Sequence, residues 1–284
     1  ELRVERLVRD RDLGTEEARR LVAAQMPASG KRGRADIVID NADTLDALED
    51  RAGEVWREIL RRAGVRRDPA VGRVRVDMHV HTRGSFDSLN DPDAVVERAL
   101  ERGLSRVCIT DHNEIHAALD LAERYPDRVI PGEEVKTAEG VDVIGLYMSE
   151  WIPKGTPARE TCERIRDQGG LVYVPHPFAG GKGGGGRILP EIEDLVDVVE
   201  GFNARIHDPS LNERARDWAR ERGLPLGAGS DAHTLGEIGR GYVEVPPFDH
   251  DAASFLNALA HGQVEGSASS RLVHLASTLA KLVP

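Results

Sequence analysis

From residue 74 onward, short apolar runs alternate with longer stretches in which apolar residues recur every three or four positions. The short runs predict strands at 74–81, 106–110, 128–130, 141–147, 171–175, 197–202 and 225–230. The helical pattern falls at 92–103, 114–124, 158–168, 210–222 and 251–262. Strand and helix in alternation predict a parallel α/β architecture. About seven such units predict a distorted (β/α)7 barrel more than an open sheet. Before residue 74 the pattern is different. Thr15-Glu16-Glu17 opens a helix running to about Gln25. ADIVIDN (35–41) reads as a short strand. Residues 44–63 read as a helix with Leu45, Leu48, Val55, Trp56, Ile59 and Leu60 on one side, capped by Gly64. The expected organisation is a small, mostly helical segment over 1–66, a linker over 67–73 and an α/β domain over 74–284.

Composition narrows the class. The chain has 284 residues, 40% hydrophobic and 31% charged, the balance of a soluble globular protein. No apolar run approaches membrane-spanning length and no signal peptide opens the chain, so no membrane partner is expected. Cys108 and Cys162 are too few for a disulfide framework and fit a reducing, cytoplasmic location. The chain opens on Glu1 rather than Met, as a fragment or processed product does. Residues 1–72 hold 15 basic and 15 acidic residues, so the whole net charge of −11 belongs to the remainder. An acidic body argues against duplex nucleic acid as a partner, because that interaction relies on basic surface. It is compatible with holding cations.

The histidines carry the chemistry. In VRVDMHVHT, Asp77, His79 and His81 alternate, which on a regular strand puts all three on one face. Six of the ten histidines follow or end an apolar strand: His79, His81, His112, His176, His207 and His233. In α/β barrels the C-terminal strand ends form one rim, so these residues should converge. Asp231 and His233 repeat the alternation, and Glu134 follows another strand. His116, His250, His261 and His274 lack such a context and read as surface or packing residues. Imidazole and carboxylate without thiolate suits Mn, Zn or Fe, and so many ligands can hold two or three divalent ions. Either Glu134 or Asp231 could bridge neighbouring ions. Ions paired at roughly 3.5–4 Å clamp an in-line displacement at phosphorus and sharpen a bound water into hydroxide. The expected reaction is hydrolysis of a phosphate ester.

DMHVHT, TDHN, PGEE, VPHPF and GSDAHT, in that order, resemble the polymerase-and-histidinol-phosphatase (PHP) family of metallo-phosphoesterases over residues 74–284. The resemblance implies a distorted seven-stranded barrel with a trinuclear centre. It assigns His79, His81, Glu134 and Asp231 to a first ion, with Glu134 bridging to a second ion held by His176 and His207. Asp87, His112 and His233 would hold the third. Asp87 stands where some relatives carry histidine. Glu134 is preferred over Glu133 because it fits the family's Gly-x-Glu pattern. Asp77 and Asp111 would orient the histidines from behind. Asp231 and Arg205 are the expected catalytic residues, with the planar guanidinium of Arg205 gripping phosphate. VVEGFNAR and GSDAHTLGEIGRGY are most similar to small members acting on 3′,5′-bisphosphonucleotides or short RNA. The alternatives are a histidinol-phosphate phosphatase and a non-catalytic module attached to a kinase. The glycine-rich 179–187 segment could place Lys182 or Arg187 on phosphate, although it is not a Walker motif.

The stretch from Gly14 to Leu60 resembles the C-terminal end of a dephospho-CoA kinase, carried by AAQMP, KRGRADIVIDN and the tryptophan-bearing helix. The phosphate-binding loop of such a kinase would lie upstream, so a fused kinase portion is the expected neighbour and this segment alone is not a kinase.

Overall fold

Nine strands form one sheet in the computed structural model, which describes residues 2–11, 13–35, 37–39, 48, 51, 55, 72–179 and 185–270. The chain divides into two units, Glu1–Arg67 and Asp68–Pro284. The first contains α1 (Leu2–Arg11), α2 (Thr15–Ala23) and α3 (Ala28–Arg32). Helix α2 starts at Thr15 as expected; α1 was not anticipated. The strand expected over 35–41 is not formed by its described residues 35 and 37–39, and Val38 and Ile39 remain 42% and 43% exposed. An apolar run becomes a strand only where a neighbour bonds to it, and no strand is found among the described residues of this unit. Most of the helix expected over 44–63 lies outside the described residues; Leu48, Arg51 and Val55 within it are helical.

The second unit carries the sheet. Its strands are β1 (Val74–Val80), β2 (Arg106–Ile109), β3 (Val129–Lys136), β4 (Asp142–Leu146), β5 (Leu171–Val174), β6 (Val198–Asn203), β7 (Leu226–Gly229), β8 (Gly241–Val245) and β9 (Gln263–Gly266). The helices are α4 (Pro92–Glu101), α5 (His116–Arg124), α6 (Ala158–Asp167), α7 (Leu189–Ile192), α8 (Pro209–Glu221) and α9 (Ala252–Leu259). Asp91, Asp208 and Asp251 cap α4, α8 and α9 by accepting from first-turn amides.

The strand order is β7-β6-β5-β4-β3-β2-β1-β8-β9. The sheet then curls until β1 meets the end of β7: Asp231 N donates to His79 O (2.8 Å) and His81 N to Ala232 O (3.0 Å). The expected barrel is therefore present, nearly closed. The all-parallel expectation fails at β4, which is antiparallel to both β3 and β5. The turn 137–141, held by Thr137 N to Val141 O (2.9 Å), is too short for the crossover that parallel strands need. Strand β3 also runs to Lys136, so Glu134 lies within a strand rather than after one. Strands β8 and β9 extend the sheet beyond β1 and were not foreseen.

Alternate strand residues fill two cores. Val107, Ile109, Val129, Val143 and Val172 pack with helix residues such as Leu121 and Ile165. Met78, Cys108, Ile130, Ile144 and Tyr173 pack together with α9. Cys108 and Cys162 are buried free thiols. Among the described residues no helix is long and apolar enough to cross a membrane.

One irregularity decides what reaches the site. Between Asp77 and Val80, β1 advances three residues while β2 advances two, from Val107 to Ile109. This bulge changes which face the following side chains take. Val76 and Met78 join one core, while Val80 joins the other. Asp77 consequently does not share the histidines' role. Its carboxylate accepts from Ser230 N (2.9 Å) and Gly239 N (2.9 Å) and pins neighbouring backbone.

Candidate metal centre

Glu134, buried on β3, is the point on which the imidazoles converge. Its Oε2 lies 2.9 Å from His112 Nδ1, 3.4 Å from His79 Nε2 and 3.4 Å from His81 Nε2. Its Oε1 lies 3.3 Å from His176 Nε2. Asp231 approaches from the end of β7, with Oδ1 3.3 Å from His81 Nε2 and 3.8 Å from His79 Nε2. Asp87, in the loop after β1, lies 3.3 Å from His233 Nε2 and 3.8 Å from His112 Nε2.

Among the described residues, four overlapping triads bring their donor atoms within 4.8 Å of one another: His81–His112–His233, His79–His176–Asp231, His79–His81–Glu134 and His112–Glu134–Asp142. His176 (φ 26°) and Asp231 (φ 52°) adopt left-handed backbone conformations, a strain that clusters at functional sites.

The residues fit divalent cations on an independent test. His81 Nε2, Glu134 Oε1 and His176 Nδ1 are buried and have no hydrogen-bond partner. Unsatisfied buried polar atoms are costly. The tautomer of His81 points the same way. Ser85 Oγ has one hydrogen, donated to Asp111 Oδ1 (2.9 Å), and accepts from His112 N (2.8 Å). Its 3.1 Å contact with His81 Nδ1 must then be accepted from an Nδ1–H. Burial, with the positive charges of His233 and His112, pushes the His81 pKa down to about 3, so the ring is neutral. Its Nε2 lone pair therefore faces the cluster, as a metal ligand requires.

The carboxylates remain ionised in spite of burial. Burial works to raise Glu134, but the charges of His112 and His79 outweigh it and hold the group well below the usual range. Asp231 is likewise burdened by burial and held low chiefly by the charge of His79. Against the same burial penalty, Glu134 raises His112 to about 9 and His176 to about 8. These shifts fix a pH dependence for the metal-free chain. Raised folded-state values mean that the stabilisation from His112 and His176 is complete below their unfolded value near 6.5 and disappears as pH climbs toward 9. Metal-free protein should lose thermal stability between pH 6.5 and 9, while protein loaded with Mn²⁺ should not. Melting curves at half-unit pH steps check this; a metal-free melting point flat across that window contradicts it.

Several supporting residues escaped the sequence reading. Glu200, on β6, accepts from His79 Nδ1 (3.1 Å) and Tyr173 OH (3.1 Å) on one oxygen, and from His176 N (2.7 Å) and Asn203 Nδ2 (2.9 Å) on the other. A carboxylate inside the otherwise apolar VVEGF run was the available signal, since such burial needs partners. The close fit there requires Gly229, where a Cβ would lie 2.2 Å from His79 Cβ. Asp111 orients His81 through Ser85 instead of directly. Asp142 sits at the cluster's edge, 2.6 Å from Lys136 Nζ.

Arg205 and His207 are placed differently. Arg205 Nε reaches Glu237 Oε1 at 2.8 Å and Nη2 reaches Oε2 at 3.4 Å, so its fork engages a carboxylate. Glu237 also accepts from His233 N (3.2 Å) and Thr234 N (3.0 Å), tying Arg205 to the turn that carries His233. The charge of Arg205 contributes to holding Asp231 low. His207 is half-buried beside Asp208, the α8 cap, and belongs to none of the four triads. Arg187 donates to Glu139 O, and Lys182 lies outside the described residues.

A model described as "PHP domain" matches residues 77–150, and one described as "PHP-associated" matches 209–264. An uncharacterized protein of Methanocaldococcus jannaschii is 35% identical over 197 residues, covering 66% of this chain and 79% of the relative. The chain belongs to the PHP family. The PHP fold extends to a two-domain protein of Bacteroides vulgatus described as containing a predicted PHP-like metal-dependent phosphoesterase. That structure superposes with a TM-score of 0.55 at 18% identity, covering 74% of this chain and 70% of the other. A separate short similarity is to the dephospho-CoA kinase of Corynebacterium diphtheriae, 49% identical over 57 residues. It covers 20% of this chain and only 28% of that kinase.

Proposed function

We propose that this PHP protein is a metal-dependent phosphoesterase that hydrolyses a phosphomonoester or phosphodiester of a small nucleotide-like substrate, such as a 3′,5′-bisphosphonucleotide or a short oligonucleotide. The observation that carries the reading is the convergence of four imidazoles on Glu134, with buried donor atoms left over. His79, His81, His112, His176 and His233, with Glu134, Asp231 and Asp87, would hold two or three divalent ions. Bound ions of this kind supply Lewis acidity toward a phosphoryl oxygen and lower the pKa of water.

The chain's own residues set the conditions for that chemistry. Glu200 and the Asp111–Ser85 pair hold His79 and His81 with Nε2 directed at the cluster. Asp231, kept ionised chiefly by the charge of His79, is a carboxylate able to take a proton from water entering the mouth. Arg205 positions Glu237 and the His233 turn, and its charge favours an anion beside Asp231. Its engagement by Glu237 makes direct phosphate contact secondary to this positioning role.

The test is a screen of the chelator-treated 284-residue chain over aryl phosphates, nucleotides, bisphosphonucleotides, histidinol phosphate, CoA and short RNA, with Mn²⁺, Zn²⁺ or Fe²⁺ restored in turn. We expect no turnover without metal and recovery with at least one ion. Metal-loaded protein that hydrolyses none of these esters would end the proposal. Selective turnover of histidinol phosphate would replace the nucleotide assignment.

A further inference from the structure

We propose that the groove between α7 and α8 is a second nucleotide site, in which Arg214 holds a phosphodiester and the groove holds the attached nucleoside of a short single-stranded oligonucleotide. This rests on the phosphoesterase reading and chooses, among its substrates, one longer than a mononucleotide.

The groove has a volume of about 330 Å³, with Phe178, Leu189, Arg214 and Trp218 among its walls. That is the lower end of the range for small-molecule sites. Phe178 follows the candidate ligand His176 by two residues. Two residues span at most about 7 Å of backbone, so the groove begins beside the cluster. Ala179 N donates to His176 O (3.0 Å) and Gly186 N to Pro177 O (2.6 Å), which fixes the turn that carries Phe178. The guanidinium of Arg214 lies over the Phe178 ring, 4.2 Å from its centroid. A guanidinium stacked in this way keeps its N–H edge available to a phosphate. Trp218 stands one turn further along α8, on the same side of the helix.

Charge singles out Arg214. Arg220 is engaged by Asp217 (2.6 Å), Arg222 by Glu193 (3.0 Å), and Arg216 donates to Gly201 O (3.1 Å). Arg214 is exposed and makes no hydrogen bond or ion pair among the described residues. The groove's two carboxylates, Asp217 and Glu221, are compensated by Arg220 and Arg222, at 2.6 and 3.3 Å. The uncompensated charge at the groove is therefore that of Arg214. A cation set on aromatic walls suits the phosphate and base of a single strand. One such cation in a chain of net charge −11 does not make the broad basic surface that a duplex needs.

A charge-matched pair of ligands tests the site. The 284-residue chain loaded with Mn²⁺ is titrated calorimetrically with thymidine 3′,5′-bisphosphate and with 5′-phosphorylated trithymidylate. The trimer carries phosphorothioate linkages, which resist hydrolysis. The bisphosphate brings a second phosphate without a second nucleoside. The trimer should bind roughly tenfold more tightly. R214A should erase that advantage and leave bisphosphate affinity within about twofold. It should also lower the salt slope of trimer binding by about 0.7, the share of one phosphate contact on a single strand. The competing role for Arg214 is a cover that steadies Phe178 and the His176 turn, and R214A would then weaken both ligands in parallel. That result overturns the proposal. So do equal affinities in the wild-type chain, an R214A variant that binds as the wild type does, or no binding of either ligand. A trimer advantage that depends on Arg214, in a chain that hydrolyses no phosphate ester, would leave this site standing and remove the phosphoesterase reading.

Discussion

If the proposed function holds, replacing Glu134 with glutamine should leave a folded chain whose phosphoesterase turnover falls at least about a thousandfold, because several kcal/mol of charge stabilisation would depend on ions held at this residue. Among the described residues, Glu134 is the one side chain facing His79, His81, His112 and His176 together. An amide offers a single neutral oxygen and two hydrogens that repel a cation. The metal content per chain, measured by mass spectrometry after dialysis, should fall by at least one ion. The fold should survive because the imidazoles can shed their protons. Without Glu134, the raised values of His112 and His176 return toward or below 6.5, and neutral rings need no buried anion. The stability loss should therefore be large near pH 6, where breaking a buried pair costs about 3–5 kcal/mol, and small near pH 8.5. A Glu134→Gln chain with wild-type metal content and turnover would remove Glu134 from the centre.

Much of this candidate centre was legible in the sequence because its clustered residues sit where local rules are strong. A histidine at a strand's end is visible once the strand is, and the strands at 106–110 and 171–175 are signalled by the apolar stretches VCI and LVYV. Parity along β1 was the weaker guide. Alternation put Asp77 with His79 and His81, but the bulge shifts the faces, and nothing local in RVDMHVH marks it. The depth of Glu134 within β3 was hidden for a related reason. Pro131 and Gly132 interrupt the run and read as an end, although β3 continues through them to Lys136. Strands β8 and β9 were missed because they are short and only half-buried, which leaves little apolar signal. Glu200, Ser85 and Asp142 depend on contacts across the barrel. Their roles are set by the three-dimensional approach of β1, β5 and β6 at Glu200, of the loops after β1 and β2 at Ser85, and of β3 and β4 at Asp142, which no spacing in the chain encodes.

The dependence on such contacts makes Glu200 the second position of large effect. Each of its oxygens accepts two hydrogen bonds, one pair from His79 Nδ1 and Tyr173 OH, the other from His176 N and Asn203 Nδ2. Glu200→Gln keeps the shape but replaces one oxygen with NH₂. Whichever way the amide turns, two buried donors then face hydrogens. Each unsatisfied buried donor costs about 1–3 kcal/mol, so destabilisation of about 2–6 kcal/mol is expected. Turning the amide to spare one pair sacrifices the other, and both pairs include a candidate ligand, His79 or His176. Metal affinity should consequently drop about 10–100-fold, the usual cost of losing the group that orients a ligating histidine. Tyr173→Phe separates the two effects. It removes one hydrogen bond to Glu200 and leaves both histidines held, so it should cost about 1 kcal/mol and leave metal affinity nearly unchanged. Chemical denaturation gives the stabilities, and competition with a chelator gives the affinities. If Glu200→Gln and Tyr173→Phe shifted metal affinity equally, Glu200 would be supporting the barrel wall and not the ligands that face its mouth.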